Sequence, residues 1–289
     1  MRCVASAVIA LFLTANSAMA IDLAPLWDFR QPDVSEQRFR AALETATGDE
    51  ALILQTQIAR TYGLRKDFAR AQDLLKTLEP QVKAAGAEAQ ARYALELGRT
   101  YASATHPPAS QTADSKQLAR RAYANALAVA RAAQLDGLAI DAIHMLAFVD
   151  TAPADQLKWA LEALAVVEGS SQPAAKRWEA SVRNNVGYAM HQLGRHEEAL
   201  VQFKQAVALR EQGTNAEALR TAHWMVAWTL RVLKRNNEAL ELQLRLEGEG
   251  DAAGQPDLYV FEELETLYRE KGDAARAEHY ANRRKAVAK

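Results

Sequence analysis

Two histidines near the middle of the chain are the residues whose type could support metal-dependent chemistry. His196 opens the run His196-Glu-Glu-Ala-Leu, which shares two residues with the HExxH zinc-binding helix but lacks its second histidine. His191 lies five residues earlier, on the other side of a predicted turn, so the two imidazoles do not share a helix face. Isolated histidine pairs rarely hold zinc. We therefore predict structural or solvent-facing roles for both histidines, and no metal site.

Other catalytic patterns are missing from the sequence, which contains no CxxC, GxGxxG, GxSxG or P-loop motif. Acidic pairs such as Glu197-Glu198 and Glu262-Glu263 lie in stretches rich in charge, which is typical of a solvated helix face. Neither a residue set for a chemical step nor a cofactor motif is present. The sequence therefore predicts a protein that is not an enzyme and needs no cofactor.

The stretch from Arg183 to Leu209 predicts two helices joined by a short turn. Val186, Gly187 and Met190 share one face of the first helix, and Gly194 supplies the left-handed residue that often ends a helix. The second helix has apolar residues at helical spacing. These are Ala199, Leu200, Phe203, Ala206 and Val207.

Five further stretches repeat this helix-turn-helix pattern, at residues 52–78, 89–130, 137–168, 220–246 and 258–281. In the first, Pro80 is expected to end the second helix. A stretch rich in Pro, Ser and Thr, Ala102–Ser115, predicts a loop inserted into the second. Ala199, Ala239 and Ala277 occupy equivalent positions, 40 and 38 residues apart.

Leu97-Gly98 with Tyr101 in one predicted helix, and Ala199 with Phe203 in another, resemble the tetratricopeptide repeat (TPR) signature. The resemblance covers about residues 50 to 285, although the spacing exceeds the 34 residues of the commonest form. It implies an all-α fold, a right-handed TPR-like α-solenoid of about six helix pairs. It also implies that the first helix of each pair lines a concave groove, in which such proteins bind extended peptides or partner helices.

The resemblance further implies which residues face that groove: Arg60, Arg99, Asn184, Tyr188, Trp224, Trp228, Arg231 and Glu262. Arg and Asn can hydrogen-bond carboxylates or peptide backbone, and Tyr and Trp offer large contact areas. Two alternatives stay open. The Trp pair can pack between helices, and the two arginines of the first repeats can pair with neighbouring acids. If water reaches both arginines, removing them should change stability little.

Residues 1–20 predict a cleavable secretory signal peptide. Arg2 precedes an apolar run, and Ala18-Met19-Ala20 fits a cleavage site. The run is shorter than the roughly 20 residues that a spanning helix needs. We therefore expect a mature chain that begins at Ile21, is periplasmic or secreted, and has no stable membrane span. The single cysteine, Cys3, lies in the removed part.

Residues 21–50 are predicted to cap a helical repeat domain at 51–289. Trp27 and Phe29 are expected to cover the open end of the helical stack, because a solenoid's terminal core must be shielded from water. A helix is predicted from Glu36, with Ser35 as its N-cap.

The net charge of −1, from 35 basic and 36 acidic residues, provides no field that would attract nucleic acid. Taken together, the sequence predicts a non-catalytic scaffold of the periplasm or cell envelope that binds a protein or peptide partner in its groove. One alternative is a self-associating structural protein of envelope assembly, and another is an enzyme with a site across the groove. The partner's identity and the oligomeric state are not predicted.

Overall fold

The computed structural model describes residues 21–287, which form α-helices and short 3-10 turns but no strands. The predicted signal peptide and Cys3 lie outside the described residues. Within the described range, no helix is both long and apolar enough to span a bilayer. The helices are α1 (Pro32–Leu43), α2 (Gly48–Leu64), α3 (Phe68–Val82), α4 (Ala87–Tyr101), α5 (Ala113–Ala132), α6 (Asp136–Val149), α7 (Pro153–Gly169), α8 (Pro173–Lys176), α9 (Glu179–Gln192), α10 (His196–Arg210), α11 (Ala216–Val232), α12 (Asn236–Ala252), α13 (Leu258–Glu270) and α14 (Ala274–Val287).

Six helix pairs follow one another along the chain: α2–α3, α4–α5, α6–α7, α9–α10, α11–α12 and α13–α14. Each pair packs mainly against its neighbours in sequence, as in a solenoid. Helix α1 packs against α2 ahead of the first pair, and the short α8 lies between the third and fourth pairs. The all-α solenoid of six pairs predicted from the sequence is confirmed.

Four of the pairs share one turn. Three residues separate the helices of the first, fourth, fifth and sixth pairs, and the middle residue is left-handed. The four middle residues are Lys66, Gly194, Lys234 and Gly272, with φ between 61° and 78°. The N–H of the next residue donates to a carbonyl oxygen five residues earlier at 2.9 Å in all four turns. This hydrogen bond is the one that closes a Schellman helix end.

Two glycines allow the helices of a pair to approach closely. A Cβ atom at Gly187 would lie 2.8 Å from the ring of Phe203, and one at Gly98 would lie 2.4 Å from the ring of Tyr123. Both rings are fully buried. The small residue in the first helix is therefore needed because an aromatic side chain of the second helix rests against its backbone.

Two predicted helix boundaries are wrong. Pro80 does not end the first pair, since α3 continues to Val82; a proline within a helix loses one backbone hydrogen bond but does not always stop it. Helix α1 begins at Pro32, a favoured first helical residue, so Ser35 is not an N-cap. Its buried hydroxyl donates to the Asp28 carbonyl oxygen at 2.9 Å and accepts the Asp28 N–H at 2.7 Å.

The predicted insertion in the second pair occupies residues 102–112 and is packed against the repeats. His106 is buried and stacks on Phe68, with ring centroids 3.6 Å apart. Both of its ring nitrogens are hydrogen-bonded, one to Ser103 and the other to the Thr100 carbonyl oxygen. The loop thus holds the end of α4 against the end of α2 and the start of α3.

Candidate binding groove

The first helices of the pairs together line one face, which we call the groove. A cavity of about 700 Å³ lies on it, with residues of α2, α4 and α6 on one side. Part of the N-terminal segment, residues 21–31, also lines this cavity, including Leu23, Trp27 and Phe29. Arg30 of this segment pairs with Glu217 at the start of α11, four pairs further along. Such a contact requires the array to curve around this face, so the groove is concave.

Arg60 and Arg99 are brought together in a four-residue charge cluster with Glu96 and Asp141. Arg99 Nη1 donates to Glu96 Oε1 at 2.6 Å, and its Nη2 donates to Asp141. Arg60 Nη1 lies 3.7 Å from the same Glu96 oxygen and makes no hydrogen bond to any described residue. The cluster therefore joins the first three pairs through α2, α4 and α6.

The two arginines of the charge cluster have different environments. The Arg99 side chain is only 13% exposed, so the expectation that water reaches it does not hold. Burial lowers the pKa of Arg99, but Asp141 and Glu96 outweigh burial and raise it. Burial raises the pKa of Asp141, yet Arg99 outweighs burial and lowers it. For Arg60, burial and then the charge of Arg99 lower the pKa. Arg99 thus has the intramolecular pairing that sequence reasoning left as the alternative.

Four aromatic side chains from three first helices form a continuous strip, which we call the aromatic strip. Tyr188 of α9 lies 6.3 Å from Trp228 of α11, Trp228 lies 5.6 Å from Trp224, and Trp224 meets Tyr259 of α13 edge-on at 6.1 Å, all between ring centroids. Tyr188 is 40% exposed and Tyr259 58% exposed, whereas the two tryptophans are half-buried. The tryptophans therefore pack against each other and still reach the surface.

His191 packs against Trp228 of the aromatic strip. Its ring stacks on Trp228 at a centroid distance of 3.5 Å and meets His196 at 4.5 Å. Burial, followed by the charges of His196 and Arg231, lowers the pKa of His191 to about 4. The imidazole is therefore neutral at pH 7. Within residues 21–287, no group of three or more His, Cys, Asp or Glu residues is placed to hold a metal ion.

The three other residues predicted to face the groove lie on three different helices, α9, α11 and α13. Arg231 donates two hydrogen bonds of 2.7 Å to the buried carboxylate of Glu263, a bidentate pair within the fold. Glu262 lies 3.5 Å from Arg284 of α14. Asn184 is half-buried and makes no side-chain hydrogen bond to any described residue. Of these three, Asn184 keeps its polar side chain available.

Sequence reasoning missed an apolar cleft beside Tyr188. The cleft, of about 180 Å³, lies between α6, α7 and α9. Ile143, Phe148 and Ala160 are among the residues that line it, and a 3.3 Å hydrogen bond between Asn185 and His144 lies at its edge. Its volume suits one apolar side chain. The lining comes from the third pair and from α9 of the fourth, and these three helices become neighbours only in the folded array.

No protein-family model matches the sequence, and no curated protein does. The fold, in contrast, is shared with solved structures of TPR-containing proteins. A signal transduction ATPase with a tetratricopeptide repeat sensor, from Pyrococcus horikoshii, is 12% identical with a TM-score of 0.68 over 89% of this chain. This chain spans only 39% of that protein's length.

Two further structures are similar over most of their own length. A Rap protein complexed with Competence and Sporulation Factor is 18% identical, with a TM-score of 0.55 over 91% of this chain and 75% of its own. The apo form of the quorum sensor NprR from B. thuringiensis is 12% identical, with a TM-score of 0.53 over 91% of this chain and 83% of its own. These similarities show a TPR-like helical solenoid.

Proposed function

We propose that this chain is an exported TPR-family protein that binds an extended peptide, or an extended segment of a protein, in its groove without catalysing a reaction. The observation that carries this proposal is the aromatic strip next to the apolar cleft. Tyr and Trp dominate binding energy at protein interfaces, especially next to a pocket that accepts an anchor side chain. Tyr188 borders both features, so it is the residue we expect at the centre of the contact.

Polar groups that can hold a peptide backbone lie near these apolar features. The Asn185–His144 pair lies at the edge of the cleft, and Asn184, on the same helix α9, has a side-chain amide with no hydrogen bond to a described residue. The Rap protein and the quorum sensor NprR share this fold, and the Rap structure contains a bound factor. A periplasmic location agrees with the signal-like residues 1–20, which would place the groove among proteins of the cell envelope.

The proposal is tested by placing a photo-crosslinking amino acid at Tyr188 and irradiating cells that express the full chain. Val201, an exposed residue on the second helix of the same pair, is the matched control position. We expect a covalent adduct with one partner from the Tyr188 position, identified by mass spectrometry, and none from Val201. Adducts between two copies of this chain would instead support self-association, and equal labelling at both positions would reject a groove-specific partner.

A further inference from the structure

The loop inserted into the second pair forms one wall of a second cleft in the groove, which we call the loop cleft. It has a volume of about 170 Å³ and lies between the C-terminal halves of α2, α4 and α6. The loop supplies Ser103, Ala104 and Thr105 to its lining. Thr105 donates a hydrogen bond of 3.3 Å to the Gly63 carbonyl oxygen, so this wall is held against the end of α2.

The loop cleft adjoins the apolar cleft beside Tyr188. His144 and Phe148 of α6 line both clefts, so the two are neighbours along the groove. An extended chain advances about 3.3 Å per residue, and alternate side chains point to the same side. A peptide held at Tyr188 can therefore place a second side chain, a few residues away, in the loop cleft.

Two members of the charge cluster have unused hydrogen-bonding groups at the loop cleft. Arg60 lines the cleft, and its guanidinium makes no hydrogen bond to a described residue. Glu96 lines it too and is 3% exposed. Its Oε1 accepts from Arg99, whereas its Oε2 has no hydrogen-bond partner among the described residues. A buried carboxylate oxygen without a donor is costly, so a ligand that supplies a donor would be favoured here.

The aromatic contact of Arg60 leaves its N–H groups available. Trp27 and Phe29 form an aromatic pair, with ring centroids 4.6 Å apart, and the Arg60 guanidinium carbon lies 5.4 Å from both centroids. A guanidinium packed over a ring presents its face to that ring, while its N–H groups point outwards in the guanidinium plane. The aromatic pair can therefore stay in place while a ligand accepts a hydrogen bond from Arg60.

The charges of the cluster determine which ligand group fits. Arg60 and Arg99 balance Glu96 and Asp141, so the cluster has no net charge. A carboxylate or an ammonium group from a ligand would add an uncompensated charge to a buried site. A primary amide is neutral and has both an acceptor oxygen and N–H donors. It matches the unused groups of Arg60 and Glu96 without changing the charge.

We propose that the loop cleft binds the side-chain amide of a glutamine or asparagine of the partner, a few residues from the apolar side chain that enters the cleft beside Tyr188. The amide oxygen accepts a hydrogen bond from Arg60, and the amide nitrogen donates one to Glu96 Oε2. This inference rests on the proposed peptide-binding function and names the chemistry of two side chains of the peptide. It also gives the inserted loop a function, as the wall that closes this second subsite.

The test selects random peptides of about twelve residues, displayed on phage, for binding to the full chain. We expect the enriched peptides to share an apolar residue and a glutamine or asparagine at a constant, short spacing. One enriched peptide is then synthesised with a fluorescent label, and its affinity for the full chain is measured by fluorescence anisotropy. Replacing its amide residue with methionine, or with the corresponding acid, should weaken binding about tenfold or more.

An arginine variant tests the contact with the amide. Arg60→Met in the full chain should weaken binding of the amide peptide about tenfold but change binding of the methionine peptide less than about twofold, because the same contact is lost in both cases. Arg92→Met is the matched control, since Arg92 lines the neighbouring cavity but not the loop cleft and is paired with Glu88. It should change either affinity less than about twofold.

A glycine variant fills the loop cleft. Gly63 lines the cleft, and a Cβ atom there would have nothing within 4 Å. Gly63→Leu should therefore weaken binding of the amide peptide about tenfold without lowering the melting temperature, since leucine is the better helix former. Gly248, on the second helix of the fifth pair, also has open space around it, and Gly248→Leu should leave binding unchanged.

The inference would be overturned if selection enriched no peptides, or enriched peptides with an acid, a base or no common residue at the second position. Equal losses in the Arg60 and Arg92 variants, or in the Gly63 and Gly248 variants, would also overturn it. A partner crosslinked at Tyr188 would still support peptide binding in those cases, because Tyr188 lines the apolar cleft and not the loop cleft.

Discussion

Replacing Arg99 with alanine should be the most damaging single change in the charge cluster. Glu96 is 3% exposed and Asp141 is also buried, and both depend on Arg99 for a hydrogen-bonded cation. Removing one partner of a buried ion pair leaves an uncompensated charge and costs about 3–5 kcal/mol. Arg60→Ala, in contrast, loses only its contacts with the aromatic pair and a loose 3.7 Å ion pair, so we expect a loss of about 1 kcal/mol.

The loss caused by Arg99→Ala should also depend on pH. In the unchanged chain the pKa of Asp141 is lowered, so its carboxylate stabilises the fold at neutral pH, and this contribution is lost as the pH falls through the folded-state pKa. In Arg99→Ala, the charge of Arg99 no longer offsets the effect of burial, so the pKa of Asp141 rises above its value in the unfolded chain. The destabilisation is then full at neutral pH and is relieved as acid protonates the buried Asp141 carboxyl group.

Urea unfolding followed by circular dichroism at pH 7 and pH 4.5 measures both effects. The difference in unfolding free energy between Arg99→Ala and the unchanged chain should be smaller at pH 4.5. Adding Glu96→Gln and Asp141→Asn to Arg99→Ala removes the uncompensated charges and should recover part of the loss at pH 7. A loss below about 1 kcal/mol for Arg99→Ala, or an equal loss at both pH values, would refute the assignment of a buried, interdependent cluster.

Three other predictions follow from single positions. Gly187→Leu should lower the free energy of unfolding by about 1–3 kcal/mol or more, because the new side chain would meet Phe203. Gly194→Ala, which has open space around it but a φ of 76°, should lower it by about 1 kcal/mol. Equal urea midpoints for the two variants would contradict this packing. His191 stays neutral in the fold, with a pKa of about 4, while the unfolded chain takes up its proton near pH 6.5. Stability should therefore fall between pH 6.5 and pH 4, and less so in His191→Gln when urea midpoints at pH 7 and pH 5 are compared. N-terminal sequencing of the exported protein should give Ile21, and a start at Met1 would contradict export by signal cleavage.

The repeat architecture could be predicted because it depends on local patterns. Apolar residues at helical spacing set each buried stripe, and Gly98 and Gly187 mark the places where an aromatic side chain crosses. The inserted loop was also visible in its composition. Two helix boundaries could not be predicted from local sequence, since α3 continues past Pro80 to Val82 and α1 starts ahead of Ser35.

The candidate site was predicted only in part, because it depends on contacts between residues far apart in sequence. Arg60 and Arg99 were both expected to face the groove, and in the structure they meet at Glu96, but the pairing of Arg99 with Asp141 joins residues 42 positions apart. No local pattern indicates that Arg30 pairs with Glu217, 187 positions away. An irregular segment has no periodic sequence pattern, so its position in the groove is known only from the folded structure of the array.

The turn shared by four of the six pairs bears on how the groove could change in length. Because Lys66, Gly194, Lys234 and Gly272 are all left-handed and are followed by the same 2.9 Å hydrogen bond, each of these pairs is a module closed by the same type of turn. Gain or loss of a whole module leaves the turns of the other modules unchanged. Gain or loss of a single helix would instead reverse the chain direction of all the helices that follow it. The length of ligand that such a groove can accept would therefore evolve in steps of one helix pair. Residues at equivalent positions, such as those of the aromatic strip, would be added or removed together with their module.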